Sequence, residues 1–222
     1  MPGEPAGVAP SVLAADFSRL GAQVQEVLDA GARTIHVDVM DGHFVPALSM
    51  GPSVVSALAD RVHGADGYLD VHLMVERPER HIAEFAKAGA DGITLHVEAT
   101  PHANYALAAV RDAGCRAGLA LCPSTPVLAA SELIAEIDLL LCMTVNPGWG
   151  GQVFLPGSLS KIERLRAAIG ERPALEVDGG IDTTTAGPCA RAGATVFVAG
   201  SAVFGAPDPG VAYRAVADAA LA

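Results

Sequence analysis

Short apolar runs recur along the whole chain and are typical of buried β-strands. Stretches with apolar residues at helical spacing separate them, for example 18–31 and 78–89. The pattern therefore predicts a strict alternation of strands and helices. We expect the eight strands at 8–13, 34–39, 69–74, 92–97, 117–122, 138–145, 174–178 and 195–199.

A recurring tetrapeptide supports this alternation. The segments DAGA, KAGA, DAGC and RAGA contain Gly31, Gly89, Gly114 and Gly193, and an apolar run follows each within a residue or two. Glycine at this place is typical of the residue just after a helix, where a left-handed backbone ends the helix. The separations are close to two, one and three copies of a unit of about 26 to 29 residues, the length of one strand and one helix.

Alternating strands and helices favour a parallel sheet with right-handed crossovers. Eight such units in 222 residues suit a closed barrel better than an open sheet. The sequence thus predicts an α/β fold, a single (β/α)8 TIM barrel in which residues 1–222 form one catalytic domain. In barrels of this kind the functional residues lie at the carboxyl ends of the strands.

Polar residues occupy one face of three of these strands. Because alternate residues of a strand share a face, we expect the polar set to point into the barrel and its apolar neighbours to face the helices. Two imidazoles and two carboxylates at one barrel mouth suit a borderline divalent ion such as Zn²⁺, Fe²⁺, Mn²⁺ or Co²⁺. The inward residues are His36, Asp38 and Met40, then Asp70, His72 and Met74, and finally Glu176 and Asp178.

Each of these polar residues alone could be a hydrogen-bonded core or capping group. Four ionisable groups buried together among Val, Leu and Met are costly without a metal ion or mutual pairing, so their joint position favours a site. His96 and Glu98 have the same parity, and we expect a structural or supporting role for them. We expect solvent exposure for the histidines of loops and helices, which are His43, His63, His81 and His102.

Glycine-rich segments follow the last three predicted strands. They are VNPGWGGQ at 145–152, DGG at 178–180 and AGS at 199–201. Glycine allows backbone N–H groups to approach an anion closely, and barrels often bind phosphate with their last loops. Any one segment could be an ordinary turn, but three after consecutive strands predict a phosphate site built from main-chain donors.

Three methionines lie beside the proposed ligands, at the ends of the second, third and sixth strands. They are Met40, Met74 and Met143. Methionine is commonly core filler, and in a site it forms an apolar, polarizable wall. We expect such a wall to exclude water from a reactive intermediate.

Composition narrows the function further. The apolar fraction of 51% with 18% charged residues excludes intrinsic disorder. A net charge of −11 argues against nonspecific nucleic-acid binding and against anionic membranes. No apolar run is long enough to cross a bilayer and the N-terminus lacks signal-peptide features, so we expect a soluble, cytoplasmic protein.

Cysteine and lysine usage limits the possible chemistry. The four cysteines form no C-x-x-C pair, and we expect them to be reduced packing residues. They are Cys115, Cys122, Cys142 and Cys189. Lys87 and Lys161 are the only lysines, and both lie in helical stretches, which argues against a Schiff-base mechanism.

Seven long segments carry a family resemblance that covers nearly the whole chain. They are APSVLAADFSRLG (9–21), HVDVMDGHFVP (36–46), LDVHLMV (69–75), FAKAGADGITLHVE (85–98), VNPGWGGQ (145–152), EVDGGI (176–181) and VAGSAVFG (198–205). In this order they resemble the ribulose-phosphate 3-epimerase family. The resemblance implies a barrel with one divalent metal ion, often Zn²⁺ or Fe²⁺. It also implies a homo-oligomer, dimer or hexamer, that interconverts D-ribulose 5-phosphate and D-xylulose 5-phosphate in the pentose phosphate pathway.

By matching position, the resemblance also assigns roles to residues. The metal ligands it implies are His36, Asp38, His72 and Asp178. Asp38 is the proton acceptor and Asp178 the donor in one direction, with inversion at C3 through a metal-stabilised enediolate. Ser11 and His72 contact the sugar. The phosphate contacts Gly148, Trp149, Gly150, Gly151, Gly179, Gly180, Gly200 and Ser201.

Three positions depart from the usual family pattern. Trp149 stands where Phe is common, Ala47 where Asn often follows V-P, and Cys122 where Asn often precedes Pro123. None of them removes a proposed ligand or proton-transfer group. Substrate preference and loop behaviour are the properties they affect.

Other functions remain open at this point. The motifs also suit an epimerase of another ketose phosphate, such as D-allulose 6-phosphate. A noncatalytic sugar-phosphate-binding barrel would be favoured if either aspartate were missing, and both are present. Phosphate-binding barrels such as indole-glycerol-phosphate synthase or triose-phosphate isomerase use a lysine at a strand end, which this sequence lacks.

Overall fold

Residues 5–222 are described by a computed structural model. Within this range eight parallel strands form one sheet, in the order β1-β8-β7-β6-β5-β4-β3-β2. The strands are β1 Gly7–Pro10, β2 Thr34–Met40, β3 Tyr68–Met74, β4 Gly92–His96, β5 Arg116–Leu121, β6 Leu139–Met143, β7 Ala174–Asp178 and β8 Val196–Ala199. This arrangement confirms the predicted (β/α)8 barrel.

The barrel is nearly closed between its first two strands. β1 and β2 stand at the two ends of the sheet order, and a single parallel bridge from Ser11 to His36 joins them. The same approach lets the Ser11 hydroxyl donate a hydrogen bond to Asp38 Oδ2 at 2.5 Å. The closing seam of the barrel therefore coincides with two of the predicted site residues.

Helices cover the outside of the barrel. Those assigned in residues 5–222 are α1 Leu20–Asp29, α2 Pro52–His63, α3 Ile82–Lys87, α4 Ala103–Asp112, α5 Ser158–Ile169, α6 Ala186–Arg191, α7 Ser201–Phe204 and α8 Pro209–Ala220. Between β5 and β6 the chain forms 3₁₀ structure over Val127–Glu136 in place of an α-helix. In the described range no helix is both long and apolar enough to span a membrane.

Strand β2 illustrates how the fold sorts its side chains. Ile35, Val37 and Val39 belong to the large apolar core shared with the helices. The intervening His36 and Asp38 are also buried, but they point to the barrel interior and contact one another there. The predicted alternation of apolar and polar faces is therefore present.

The glycines of the repeated tetrapeptide have the conformation expected of helix ends. Gly31, Gly89, Gly114 and Gly193 all have φ between +83° and +113°. Each follows the residue that ends α1, α3, α4 or α6. An L side chain is strained in this region, which accounts for glycine at these places.

Two predicted boundaries were wrong. The first strand ends at Pro10 and not at residue 13, because Val12–Ala14 forms a 3₁₀ turn capped by the Ser11 side chain. The predicted helix at 78–89 is broken into a 3₁₀ turn at Pro78–Arg80 and helix α3 from Ile82. A left-handed Arg77, with φ 55°, precedes that turn.

Candidate active site

A cavity opens at the carboxyl ends of the strands. None of the described residues that line it is a lysine or an arginine. An anion bound there would therefore depend on main-chain and hydroxyl donors. The predicted site residues in its lining are Ser11, Asp38, Met40, Met74, Met143, Gly148, Trp149, Gly150, Gly151, Asp178, Gly179, Gly180, Gly200 and Ser201.

Four predicted ligands converge at the floor of this cavity. Asp38 Oδ1 lies 3.2 Å from His36 Nε2 and 3.0 Å from His72 Nδ1. His72 Nδ1 lies 3.9 Å from Asp178 Oδ2. One ligand atom from each of the four residues lies within 4.8 Å of the other three. β2, β3 and β7 thus bring together residues that are far apart in the sequence.

Hydrogen bonds on the far side of three of the four ligands fix their orientation. His36 Nδ1 lies 2.7 Å from Asp70 Oδ2, which leaves Nε2 facing the cluster. His72 Nε2 lies 2.9 Å from His96 Nε2, which leaves Nδ1 facing the cluster. The hydroxyl of Ser11 holds the second oxygen of Asp38. Such outer contacts are usual around metal-binding histidines and raise their basicity as ligands.

The two cluster carboxyls have opposite proton affinities. Burial opposes ionisation of Asp38, but the charge and hydrogen bonds of His36 and His72 outweigh it and lower the pKa of this carboxyl. Burial and the neighbouring Asp38 charge raise the pKa of Asp178 to about 8. At neutral pH one carboxyl is therefore a proton acceptor and the other a proton donor.

The two cluster imidazoles differ in the same way. Burial opposes protonation of His36, but Asp38 and Asp70 outweigh it and raise the pKa of this imidazole well above its usual range. Burial lowers the pKa of His72 to about 4. A neutral His72 can bind a metal ion through Nδ1 in the tautomer that carries its proton on Nε2.

This donor set fits a divalent transition metal ion. Two imidazole nitrogens and two carboxylates are the mixture that Zn²⁺ and its neighbours prefer, whereas Mg²⁺ favours oxygen alone. The site is buried, its donors converge, and both histidines are held from behind. The residues present could therefore hold one such ion.

Glycine is required where β7 turns into the cavity lining. Gly180 has φ +66°, and a Cβ there would lie 2.4 Å from the backbone nitrogen of Phe154. Gly179 has φ +120° and packs equally tightly against Val145. Neither Gly179 nor Gly180 donates its N–H to another backbone group in the described chain, so both N–H groups are free to bind a ligand.

Thr144 holds this turn in place and was missed by the sequence reasoning. Its hydroxyl lies within hydrogen-bond distance of two carbonyl oxygens, that of Asp178 at 2.8 Å and that of Gly179 at 2.6 Å. Its own N–H donates to the Asp178 carbonyl at 2.7 Å. The sequence offers no signal for this role beyond the place of Thr144 directly after a buried strand.

The loop after β6 forms one wall of the cavity. Gln152 donates to the carbonyls of Asn146 and Trp149, at 2.6 and 3.0 Å, and so ties the two ends of the loop together. Trp149 lines the cavity but is 55% exposed. Gln152 was not singled out in the sequence, although it belongs to the quoted segment VNPGWGGQ.

The remaining predicted residues are distributed as follows. Met40, Met74 and Met143 are buried and line the cavity as an apolar wall. His36 and His72 are fully buried and lie behind the carboxylates, outside the lining. Contact between His72 and the sugar therefore remains a prediction. The four histidines expected in solvent are exposed: His43, His63, His81 and His102.

The cysteines and lysines lie outside the cluster. Cys115, Cys142 and Cys189 are buried, and Cys122 is half-buried, its Sγ 3.5 Å from His96 Nδ1. All four are free thiols. Lys161 donates to the Cys122 carbonyl at 2.6 Å from helix α5, so it braces a loop and does not face the cavity.

Glu176 lies in the barrel interior below the cluster. It is fully buried, and within residues 5–222 neither of its carboxylate oxygens has a hydrogen-bond partner. Its Oε1 lies 3.7 Å from His36 Nδ1. Burial and the nearby Asp70 charge raise the pKa of Glu176 well above the usual range. The folded protein therefore keeps a proton on Glu176 at a pH where the unfolded chain has lost it.

We expect Glu176→Gln to stabilise the protein increasingly as pH rises. Because the folded-state pKa is raised, the wild type loses stability from about pH 4.5 upward, and a neutral amide does not. The difference in the free energy of unfolding should grow by at most about 1.4 kcal/mol per pH unit. Urea unfolding of chelator-treated protein at several pH values measures it. The exposed Glu163→Gln is the control, and a pH-independent difference would contradict the expectation.

Comparison with known proteins agrees with this geometry. Residues 7–204 match the model of the ribulose-phosphate 3 epimerase family. Ribulose-phosphate 3-epimerase of Synechocystis sp. is 49% identical over 206 residues, which are 90% of this chain and 88% of that protein. The enzyme of the same name from Escherichia coli strain K12 is 45% identical over 214 residues, 95% of this chain and 92% of that protein.

Solved structures of lower identity share the fold. A 3-hexulose-6-phosphate synthase superposes with a TM-score of 0.73 at 21% identity, covering 96% of this chain and 99% of that one. KGPDC from Streptococcus mutans gives 0.71 at 19% identity, with 98% of both chains covered. The similarity to these two structures concerns the barrel alone, whereas the sequence match extends over the cavity and its ligands. The chain therefore belongs to the ribulose-phosphate 3 epimerase family.

Proposed function

We propose that this protein is an isomerase that interconverts D-ribulose 5-phosphate and D-xylulose 5-phosphate by inverting C3. Family membership and high identity to named epimerases support the reaction. The observation that carries the chemistry is the pair formed by Asp38 and Asp178. Their pKa values are shifted in opposite directions at the floor of one cavity.

Proton transfer follows from this pair. Ionised Asp38 removes the proton from C3 on one face of the substrate, and protonated Asp178 delivers a proton to the opposite face. Each carboxyl then has the protonation state needed for the reverse reaction. Ser11 donates to Oδ2 of Asp38 and so holds the orientation of this carboxylate.

His36, Asp38, His72 and Asp178 are the residues we propose to hold one divalent ion, with Zn²⁺ first and Fe²⁺, Mn²⁺ or Co²⁺ as alternatives. When bound, such an ion supplies positive charge that stabilises negative charge developing on substrate oxygens. The chain itself contributes the orientation of the ligands. Asp70 and His96 contact the outer nitrogens of the two imidazoles and keep the inner ones aimed at the cluster.

The phosphate group is proposed to bind at the glycine segments. Three of them line the cavity, around residues 148–151, 179–180 and 200–201. No cationic side chain in the described part of the chain lines it, so backbone N–H groups are the proposed donors. Ser11 and His72 are proposed to contact the sugar. Met40, Met74 and Met143 would exclude water from the deprotonated substrate.

Proton NMR of D-ribulose 5-phosphate in D₂O with the purified protein tests the proposal, with Zn²⁺, Mn²⁺ or Fe²⁺ added to separate samples. We expect conversion to D-xylulose 5-phosphate with deuterium at C3. A parallel sample with D-allulose 6-phosphate measures preference among ketose phosphates. Folded protein that exchanges no proton of either sugar with any metal would contradict the epimerase and favour a noncatalytic sugar-phosphate-binding barrel.

The cellular setting is part of the proposal. The reaction belongs to carbohydrate metabolism and would place the protein in the pentose phosphate pathway, in the cytoplasm. We propose residues 1–222 as a single catalytic domain that assembles as a homo-oligomer, dimer or hexamer, as the family resemblance implies. Light scattering of the purified protein measures the assembly.

A further inference from the structure

A line of hydrogen bonds leads from the barrel wall to one ligand of the cluster. Glu98 Oε2 lies 3.0 Å from His96 Nδ1. On the other side of the same ring, His96 Nε2 lies 2.9 Å from His72 Nε2. His72 Nδ1 then faces the cluster, 3.0 Å from Asp38 Oδ1. Both imidazoles are fully buried.

The contact between the two Nε2 atoms allows only one arrangement of protons at a time. A hydrogen bond between two ring nitrogens needs one donor and one acceptor, so a single proton lies between them. A neutral imidazole carries one N–H, and the choice of nitrogen on one ring therefore fixes the choice on the other. The hydrogen bond from His96 Nδ1 to Glu98 therefore determines which nitrogen of each ring carries the proton.

Glu98 determines the tautomer of His96 because a carboxylate only accepts hydrogen bonds. The hydrogen bonds from His96 and Thr125 outweigh the effect of burial and lower the pKa of Glu98 to about 2, so it is ionised. Its Oε1 accepts from the Cys122 N–H at 2.8 Å and from the Thr125 hydroxyl. Its Oε2 is left for His96, which must place its proton on Nδ1.

The consequence reaches the cluster through the two rings. With its proton on Nδ1, His96 accepts at Nε2, and His72 donates there from its own Nε2. In the metal-loaded protein, His72 Nδ1 then carries a lone pair toward the cluster that includes Asp38 and Asp178. We propose that Glu98 and His96 are positioning residues that hold His72 in the tautomer needed to bind the metal ion. This inference rests on the metal site of the proposed function.

A different use of the same residues conflicts with this arrangement. His96, Glu98 and Cys122 could themselves hold a metal ion, because their ligand atoms lie close together. His96 would then bind through Nδ1 and carry its proton on Nε2, facing the N–H of His72. Neutral rings therefore cannot serve both sites at once, and the cluster at the cavity floor is the one that lies open to substrate.

Glu98→Gln tests the proposal because it should reverse the tautomer of His96. The Cys122 N–H and the Thr125 hydroxyl hold the amide oxygen, so the amide NH₂ faces His96 Nδ1 and donates to it. His96 then carries its proton on Nε2, opposite the N–H that metal-bound His72 needs. We expect the affinity for Zn²⁺, measured by competition with a chelator, to fall by about 10- to 100-fold. Glu163→Gln, on the exposed face of α5, should keep wild-type affinity.

The tautomer itself gives a second readout that needs no variant. Nitrogen-15 NMR of the Zn²⁺-loaded wild type should show the proton of His96 on Nδ1 and that of His72 on Nε2. A wild-type His96 with its proton on Nε2 would overturn the proposal, as would unchanged Zn²⁺ affinity in folded Glu98→Gln. Both measurements use Zn²⁺ without sugar, so a failure of the epimerase reaction does not affect them.

Discussion

Asp178→Asn is expected to lower kcat for D-ribulose 5-phosphate by about 10²- to 10⁴-fold, the range typical of a lost acid or base. Burial and the Asp38 charge keep a proton on Asp178 near neutral pH, and this carboxyl lines the cavity. An amide of the same shape can neither give up nor take that proton. The rate of D-xylulose 5-phosphate formation, measured with saturating Zn²⁺, checks the loss.

Deuterium exchange separates loss of one proton-transfer group from general damage to the site. Asp38 remains in Asp178→Asn, so one of the two sugars should still exchange its C3 proton with D₂O, and do so without inversion. Asp112→Asn, on the exposed end of α4, is the matched control and should turn over at the wild-type rate. Near-normal epimerisation by Asp178→Asn would rule out its role in proton transfer.

The strands and helices could be predicted from the sequence because the pattern of apolar residues that forms each of them lies within one short segment. Four of the β/α units show an apolar run and a terminal glycine in the sequence, and the structure has both, as at Gly31 and Gly193. The 3₁₀ structure at Val127–Glu136 could not be foreseen, because a mixture of Ala, Leu and Ile suits either kind of helix. Closure of β1 on β2 through one bridge at Ser11 depends on the whole barrel and leaves no local signal.

The site could be predicted from the sequence because alternate side chains of a strand point to opposite faces of the sheet. His36, Asp38, His72 and Asp178 were placed on inward faces, and the structure brings their ligand atoms together. The alternation of side chains along a strand gives no distances. It could not show that the outer nitrogen of His72, Nε2, contacts the imidazole of His96, whereas the outer nitrogen of His36 contacts a carboxylate. The opposite pKa shifts of the two aspartates depend on the same three-dimensional contacts.

Electrostatics of the cluster determine what metal removal should do. In the absence of a cation, the negative charge of Asp38 is balanced by a protonated His36, and Asp178 is held neutral by its own proton. Asp70 also contacts the protonated His36, so each of these buried carboxyls has a charged partner or its own proton and none is an isolated charge, a situation that would cost several kcal/mol. We therefore expect the chelated protein to stay folded, with an unchanged circular dichroism spectrum.

Turnover should nevertheless fall by at least about 10²-fold on chelation and return with one equivalent of Zn²⁺, because the positive charge opposite the developing substrate charge is lost. Metal binding must displace the proton on the cluster nitrogen of His36, so the affinity for Zn²⁺ should rise with pH. Calorimetry in two buffers of different ionisation enthalpy counts the protons released, with His36→Asn as the variant that releases fewer. Activity that survives complete removal of bound metal would contradict the metal site. It would show that the two aspartates epimerise the sugar without a metal ion, with protonated Asp178 as the acid.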